Sequence, residues 1–353
     1  MIRILLLLTL LLLPGLVLAA PQPLKPHVTV LATGGTIAGA APSSTQTVGY
    51  KAAVVTVDHL LIAVPGLKEL AEITGEQLFQ IDSKNMTPEH WLPLARRVNV
   101  LLADKKVSGV VITHGTDTLE ETAWFLNLVV KSDKPVVLVG SMRPSTALSA
   151  DGPLNLYDAV AVAASPASRG KGVLVVLNDT INAAREVTKT STFSLQTFHT
   201  PDLGALGYVQ SGRPLFYRQP LRLHTTATPF DVNSLKQLPK VALLYGYAGA
   251  DGESIEAAVK AGARGIVYAG AGNGSLSDKA QQALFEARKK GVLVVRSSRT
   301  GSGMVARNGE VDDDALGFVV ADNLSPQKAR VLLMLGLSVT DDTDRLQQFF
   351  TAF

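Results

Sequence analysis

The chain has 353 residues, 33 lysines and arginines against 30 aspartates and glutamates, a formal charge of +3, and no cysteine. The missing thiols exclude disulfides, thiolate nucleophiles and Cys-ligated metal centres, and the six histidines are dispersed without an HxH or HExxH pair to hold a catalytic metal. So mild a balance, with no basic run interleaved with aromatics, argues against a nucleic-acid partner.

In chain order, Arg3 precedes the apolar run Ile4 to Leu13, Pro14 and Gly15 break it, and Val17-Leu18-Ala19 has the small-residue spacing of a signal-peptidase site. Residues 1–20 therefore read as an export leader, too short for a spanning helix, and no later stretch is long and apolar enough to be one. A periplasmic or secreted protein, outside the membrane, is expected. The remaining length predicts two domains. Prolines at 214, 220, 229 and 239, with the polar run His224 to Thr228, mark residues 213–239 as a linker between an N-terminal domain over 24–212 and a C-terminal one over 240–353.

The first predicted strand, Val28 to Ala32, runs into ATGGTIAG, residues 32–39, and Pro42 to Tyr50 reads as a mobile loop over whatever that turn binds. A helix is predicted over His59 to Val64 and a strand over Gln77 to Ile81, leading to Asp82, Ser83 and Lys84. Thr87 and Pro88 then open a helix to about Ala103. The apolar run Val110 to Ile112 delivers THGTDT, residues 113–118. The following helix carries Leu119, Ala123, Leu126 and Val130 on one face, and Thr118 with Glu121 has the form of a capping box. Strands at Val136 to Val139 and Val173 to Leu177 flank a helix over Asn155 to Ala164, and REVTKT follows, carrying Lys189.

The second half repeats the alternation. Strands are predicted at Val241 to Tyr245, Ile266 to Ala269 and Val292 to Arg296, and helices at Ser254 to Ala261, Ser277 to Lys290 and Pro326 to Leu337, the last with Ser325 as N-cap. The fold class is α/β: a larger N-terminal mixed or parallel sheet flanked by helices, then a smaller C-terminal parallel α/β domain.

Two β-branched runs that end in turns rich in Gly, Thr and Asp place those turns at the rim of a sheet, where α/β folds bind ligands. Gly34 and Gly35 allow a sharp turn and close approach, while Thr36 and Thr116 present hydroxyls able to attack a carbonyl if a base stands beside them. Thr116 and Asp117 would precede a helix N-terminus, which favours an anion or a developing oxyanion. The same residues also serve as plain helix caps, and composition does not choose between the two roles.

A resemblance does choose. ATGGTIAG, TVGYKA, ITHGTDTLEETAWFL, KSDKPVVLVGSMRPSTALSADGPLNLYDAV and LNDTINAAREVTKTSTFSLQTF resemble the bacterial type II L-asparaginases, including the glutaminase-asparaginases. TPFDVNSLKQLPKV, GIVYAGAGNGS, VVRSSRTGSG and LSPQKARVLLMLGL extend the likeness over essentially all of the chain after the leader. The resemblance implies hydrolysis of L-asparagine, with L-glutamine as a further substrate, through an acyl ester on Thr36 and without metal or organic cofactor. It implies that Tyr50 activates or closes over Thr36, although some members carry this tyrosine a few positions earlier, where this chain has Gln46. Thr116, Asp117 and Lys189 match the family's second catalytic group. Gly35, Ser83, Lys84, Gly115, Thr116 and Asp117 match its substrate-binding positions. Ser275 and Glu310 match residues that come from a neighbouring subunit in a homotetramer built as a dimer of dimers.

Lys84 departs from the pattern. The family usually has Gln or Glu there, to accept from the substrate ammonium, and a lysine pointing inward would repel that ammonium, weakening binding or altering preference. Pointing outward, its stem would carry the charge into solvent. Three other readings compete. Gly270-x-Gly272-x-Gly274 suggests dinucleotide binding, but the third glycine is one place early and the next strand ends in Arg296 without a ribose-binding acid. An exported amino-acid-binding protein would keep the crevice and lose the turnover. A serine hydrolase lacks its GxSxG elbow.

Overall fold

The computed structural model describes residues 25–353, so the leader read over residues 1–20 lies outside the described residues. Strands β1 (His27–Gly34), β2 (Glu72–Ile81), β3 (Val107–Thr113), β4 (Val136–Val139) and β5 (Val173–Leu177) are parallel in the order β2-β1-β3-β4-β5. Three antiparallel strands, β6 (Thr180–Ala183), β9 (Gly207–Gln210) and β10 (Arg213–Phe216), extend this sheet beyond β5 in the order β6-β9-β10. Between them in sequence, β7 (Thr188–Lys189) and β8 (Phe198–His199) form a separate two-stranded ribbon.

Helices cover both faces, and the two-residue strand period decides which residues meet them. Val28, Val30 and Ala32, with Val111, Val137 and Val139, pack in one core beside α1 (Val57–Ile62), α2 (Leu67–Leu70) and α5 (Gly152–Ala164). Leu31, Val110, Ile112, Val136 and Leu138 face the opposite core, built with α3 (Pro88–Ala103) and α4 (Leu119–Val129). The continuous apolar runs read as strands are thus buried on both sides.

The second sheet is parallel, β11 (Val241–Tyr245), β12 (Gly265–Gly270), β13 (Leu293–Ser298) and β14 (Val319–Val320) in sequential order. Around it lie α6 (Glu253–Lys260), α7 (Asp278–Lys289), α8 (Asp313–Leu316), α9 (Pro326–Gly336) and α10 (Thr343–Ala352). The α3/α4 core continues through α9 and α10 into this half, so the two sheets share an apolar seam. Trp124 on α4 donates across it to Lys328 O at 3.0 Å. Among the described residues no helix is long and apolar enough to cross a membrane.

Local departures from expectation have physical reasons. Arg213–Phe216 falls in the stretch expected as linker yet forms the outermost strand, where Pro214 needs no second neighbour for the N–H it lacks. The capping box at Thr118 and Glu121 does not form. Thr118 Oγ1 donates instead to Ser83 O at 2.8 Å. Burial pushes the Glu121 carboxyl up to about 7, opposed by the charge of Arg330. Ser325 precedes α9 without a side-chain cap bond, and its hydroxyl has no partner among the described residues.

Candidate active site

From β1 the chain reaches β2 on one side of the sheet, while β3 continues it on the other, so the ends of β1 and β3 flank a topological switch point. Both threonine turns emerge there, and glycine brings them into backbone contact. Gly34 and Gly35 have φ of 110° and 82°, and a Cβ on Gly35 would lie 2.2 Å from Gly115 N. A Cβ on Gly115 would in turn meet Ser83 Oγ at 2.5 Å. Gly35, Gly115 and Ser83 are therefore stacked with no room for another heavy atom between them.

Thr36 opens a short 3-10 turn, Thr36–Ala38, and is 8% exposed. The following loop folds back through reciprocal backbone bonds between Ala40 and Lys51 at 2.9 and 3.1 Å. That return brings the Tyr50 hydroxyl to 2.7 Å from Thr36 Oγ1. Burial raises the Tyr50 pKa, with the Thr36 hydrogen bond acting in the opposite sense, so the phenol stays protonated.

The second group forms beside it. Lys189 Nζ donates to Thr116 Oγ1 at 2.9 Å and to Asp117 Oδ1 at 2.7 Å. Lys189 is held by its backbone as well: its N–H donates to Glu120 Oε2 at 2.6 Å, and the other Glu120 oxygen accepts from Gln327 at 2.5 Å. Lys328, also on α9, donates to the carbonyls of Ala184, Arg185 and Val187, just ahead of Lys189. Burial lowers its pKa to about 8. Glu120, Gln327 and Lys328 were not among the expected site residues, and no spacing rule points to them.

A buried chain of donors fixes the turn before Thr116. Trp91 Nε1 donates to Thr122 Oγ1 at 2.9 Å, and that hydroxyl lies 3.0 Å from His114 Nε2. His114 Nδ1 is 2.7 Å from Gly115 O, an acceptor only, so Nδ1 carries the proton and Thr122 donates to Nε2. Burial lowers the His114 pKa to about 4, which keeps the ring neutral. Across the site, Asp151 accepts from the Met142 and Arg143 N–H groups, both at 2.9 Å.

A cavity of about 440 Å³ joins the two groups, with Thr36, Tyr50, Ser83, Thr116, Asp117 and Lys189 in its wall. Met142, Arg143, Val48 and Phe193 also line it, the last two 75% and 83% exposed. Lys84 is outside that wall: it is 69% exposed and pairs with Asp82 at 3.2 Å. Ser275 and Glu310 are not in the wall either; Ser275 is half-buried and Glu310 exposed on the smaller half of the same chain. The Gly270 to Gly274 turn is no nucleotide loop: it folds back on itself through Ala271 and Ser275.

With this geometry in place, comparison with known proteins gives a consistent picture. Residues 27–222 match the family model "Asparaginase, N-terminal", and residues 240–350 match "Glutaminase/Asparaginase C-terminal domain". The chain is 53% identical over 328 residues to L-asparaginase 2 of Bacillus subtilis (strain 168), spanning 93% of this chain and 87% of that protein. It is 50% identical over 325 residues to the glutaminase-asparaginase of Pseudomonas fluorescens biotype A, spanning 92% and 90%. The crystal structure of a probable cytoplasmic L-asparaginase from Campylobacter jejuni superposes with a TM-score of 0.91 at 49% identity, covering 93% of this chain and all of the other.

Proposed function

The chain belongs to the asparaginase family, and from that premise we propose that it is an exported L-asparaginase with L-glutaminase activity, working through an acyl ester on Thr36. The observation that carries this reading is that two threonine hydroxyls share one cavity, each within hydrogen-bond distance of a proton-handling partner.

In the proposed cycle, Thr36 Oγ1 attacks the side-chain amide carbon of asparagine as its proton passes toward Tyr50. Because Tyr50 is a protonated phenol, it acts by relay and not as a standing base. The carbon–nitrogen bond breaks, the nitrogen leaves with a proton as ammonia, and an aspartyl ester remains on Thr36. Water then adds to the ester carbon, giving its proton to the leaving Thr36 oxygen, and aspartate is released. Thr116, Lys189 and Asp117 form the second proton path. Thr116 Oγ1 accepts a proton from the water as its own passes to Lys189 Nζ, which hands one on to Asp117 Oδ1. Ser83 and the Gly115 turn suit the substrate carboxylate and Asp117 its ammonium.

Ser275 and Glu310 complete the cavity of a neighbouring subunit, in a homotetramer arranged as two dimers with shared sites. Residues 1–20 direct export, an assignment on which relatives diverge in name: one at 51% identity from Haemophilus influenzae is a probable periplasmic L-asparaginase, whereas the Campylobacter jejuni protein is called cytoplasmic.

Steady-state ammonia release from L-asparagine and L-glutamine by the protein lacking residues 1–20 tests the activity. Turnover of asparagine, lost in Thr36→Ala, is expected. Saturable binding of either amino acid without ammonia release would leave a binding protein in its place.

A further inference from the structure

We infer that the buried Arg296–Asp313 ion pair is a positioning unit, which holds Ser275 and Glu310 in one rigid patch presented to the neighbouring subunit's cavity. The inference rests on the shared-site reading above.

Both side chains of the pair are 0% exposed. Arg296 Nε donates to Asp313 Oδ1 at 2.6 Å and Nη2 to Oδ2 at 2.7 Å. The remaining donors go to two loops: Nη1 to Asn273 O at 3.2 Å and Gly274 O at 3.0 Å, and Nη2 to Ala306 O at 3.1 Å. All five guanidinium N–H groups are thus used, three of them on backbone next to the patch. Asp313 Oδ2 also accepts from Asn308 N at 2.9 Å. Ser275 directly follows Gly274, and Glu310 lies two residues after Asn308.

The two loops are also clipped to each other. Asn273 Oδ1 accepts from Ala306 N at 2.8 Å. Gly274 has a φ of +75°, and a Cβ there would come within 2.9 Å of Arg296 Nη1, so the turn is shaped around the guanidinium. Ser275 N donates to Ala271 O at 2.7 Å, closing the turn that presents its hydroxyl.

A buried ion pair contributes little to stability relative to apolar packing of the same volume, so stability alone does not account for one at this position. A binding or catalytic group delivered from another subunit needs its own loop held to within about 0.5 Å. The pair meets that need from inside the smaller half, and in an assembly with shared sites its loss is felt in the partner's cavity.

The test is subunit complementation. Arg296→Lys keeps the charge and loses the fork; Asn273→Ala leaves the ion pair and removes only the clip. Both should assemble, with kcat/KM lowered at least tenfold in the first and by a smaller factor in the second. Each is unfolded and refolded with an equimolar amount of Thr36→Ala. A mixed dimer contains one site that joins an intact Thr36 to an intact patch, so random pairing contributes about a quarter of the wild-type turnover beyond what the variant's own dimers retain. Thr36→Ala mixed with Glu310→Ala is the control. No regain in that control overturns the shared-site reading. Regain in the control but none with either Arg296→Lys or Asn273→Ala overturns the positioning unit, as does full activity of both variants alone.

Discussion

The Lys189 ammonium stands 2.9 Å from the Thr116 hydroxyl oxygen, although 73 residues separate them in the chain. Thr116 and Asp117 arrive at the end of β3, Lys189 in the short strand β7, and Glu120 on α4 accepts the Lys189 backbone N–H. The ammonium is therefore located by a backbone bond as well as by its own contacts.

If Lys189 acts by taking the Thr116 proton, an arginine in its place keeps the charge and loses the base, because a guanidinium does not deprotonate in proteins. Lys189→Arg and Lys189→Met should then both lower kcat by about 10²–10⁴-fold, with circular dichroism unchanged. Substantial activity in Lys189→Arg would mean that the charge alone is what the site uses.

Glu120 holds Lys189 without lining the cavity, and a carboxamide keeps one acceptor for the Lys189 N–H. Glu120→Gln should retain most of kcat, whereas Glu120→Ala should lower it by about tenfold or more through displacement of the lysine, with KM little changed. Equal losses in the two variants, tracking the fall in Tm, would assign Glu120 to stability only.

Tyr50→Phe removes the hydroxyl 2.7 Å from Thr36 and leaves the ring in place against Gly39, whose added Cβ would meet it at 3.2 Å. A fall in kcat of about 10²-fold is expected for loss of a proton relay. An unchanged kcat with a raised KM for both amides would give Tyr50 a closing role alone.

The site was legible in part, for reasons that differ residue by residue. Thr36 and Thr116 stand out because a buried β-branched strand ending in glycine is a local pattern, and the switch point follows from strand order. Glu120 reads as one more first-turn acid of α4; its partners Lys189 and Gln327 lie 69 and 207 residues away, and no local period encodes such a contact. Helix α10 does carry local signals. Asp342 caps it by accepting from Arg345 N at 2.7 Å, and Leu346, Phe349, Phe350 and Phe353 repeat at helical spacing toward the core. At Thr118 the pattern itself misleads, since a hydroxyl that can cap its own helix can equally donate to Ser83 O.

Lys84 is the position where the resemblance and the geometry lead to different expectations. Its ammonium sits on Asp82 at 3.2 Å and is 69% exposed. Exposed pairs of this kind are worth about 0–1 kcal/mol and are screened by salt. Lys84→Gln should accordingly change KM for asparagine and glutamine by less than about twofold at physiological ionic strength. A larger fall in KM would show that the lysine turns into the cavity when substrate is bound.

Asp158 on α5 is 2% exposed, and its Oδ2 has no hydrogen-bond partner among the described residues. Burial, and then the neighbouring Asp179 carboxyl at the turn between β5 and β6, raise its pKa to about 7. In the unfolded chain an aspartate titrates near ~3.9. The folded state therefore binds the proton more tightly, so this contribution to stability is complete below pH ~4 and is lost as pH rises through about 7. Asp158→Asn keeps a neutral side chain of the same shape at every pH. Its Tm should match that of the wild type near pH 4 and exceed it increasingly up to pH 8, by a few degrees for each kcal/mol recovered. Parallel Tm curves for the two proteins across that range would mean that Asp158 titrates in the fold as it does in the unfolded chain.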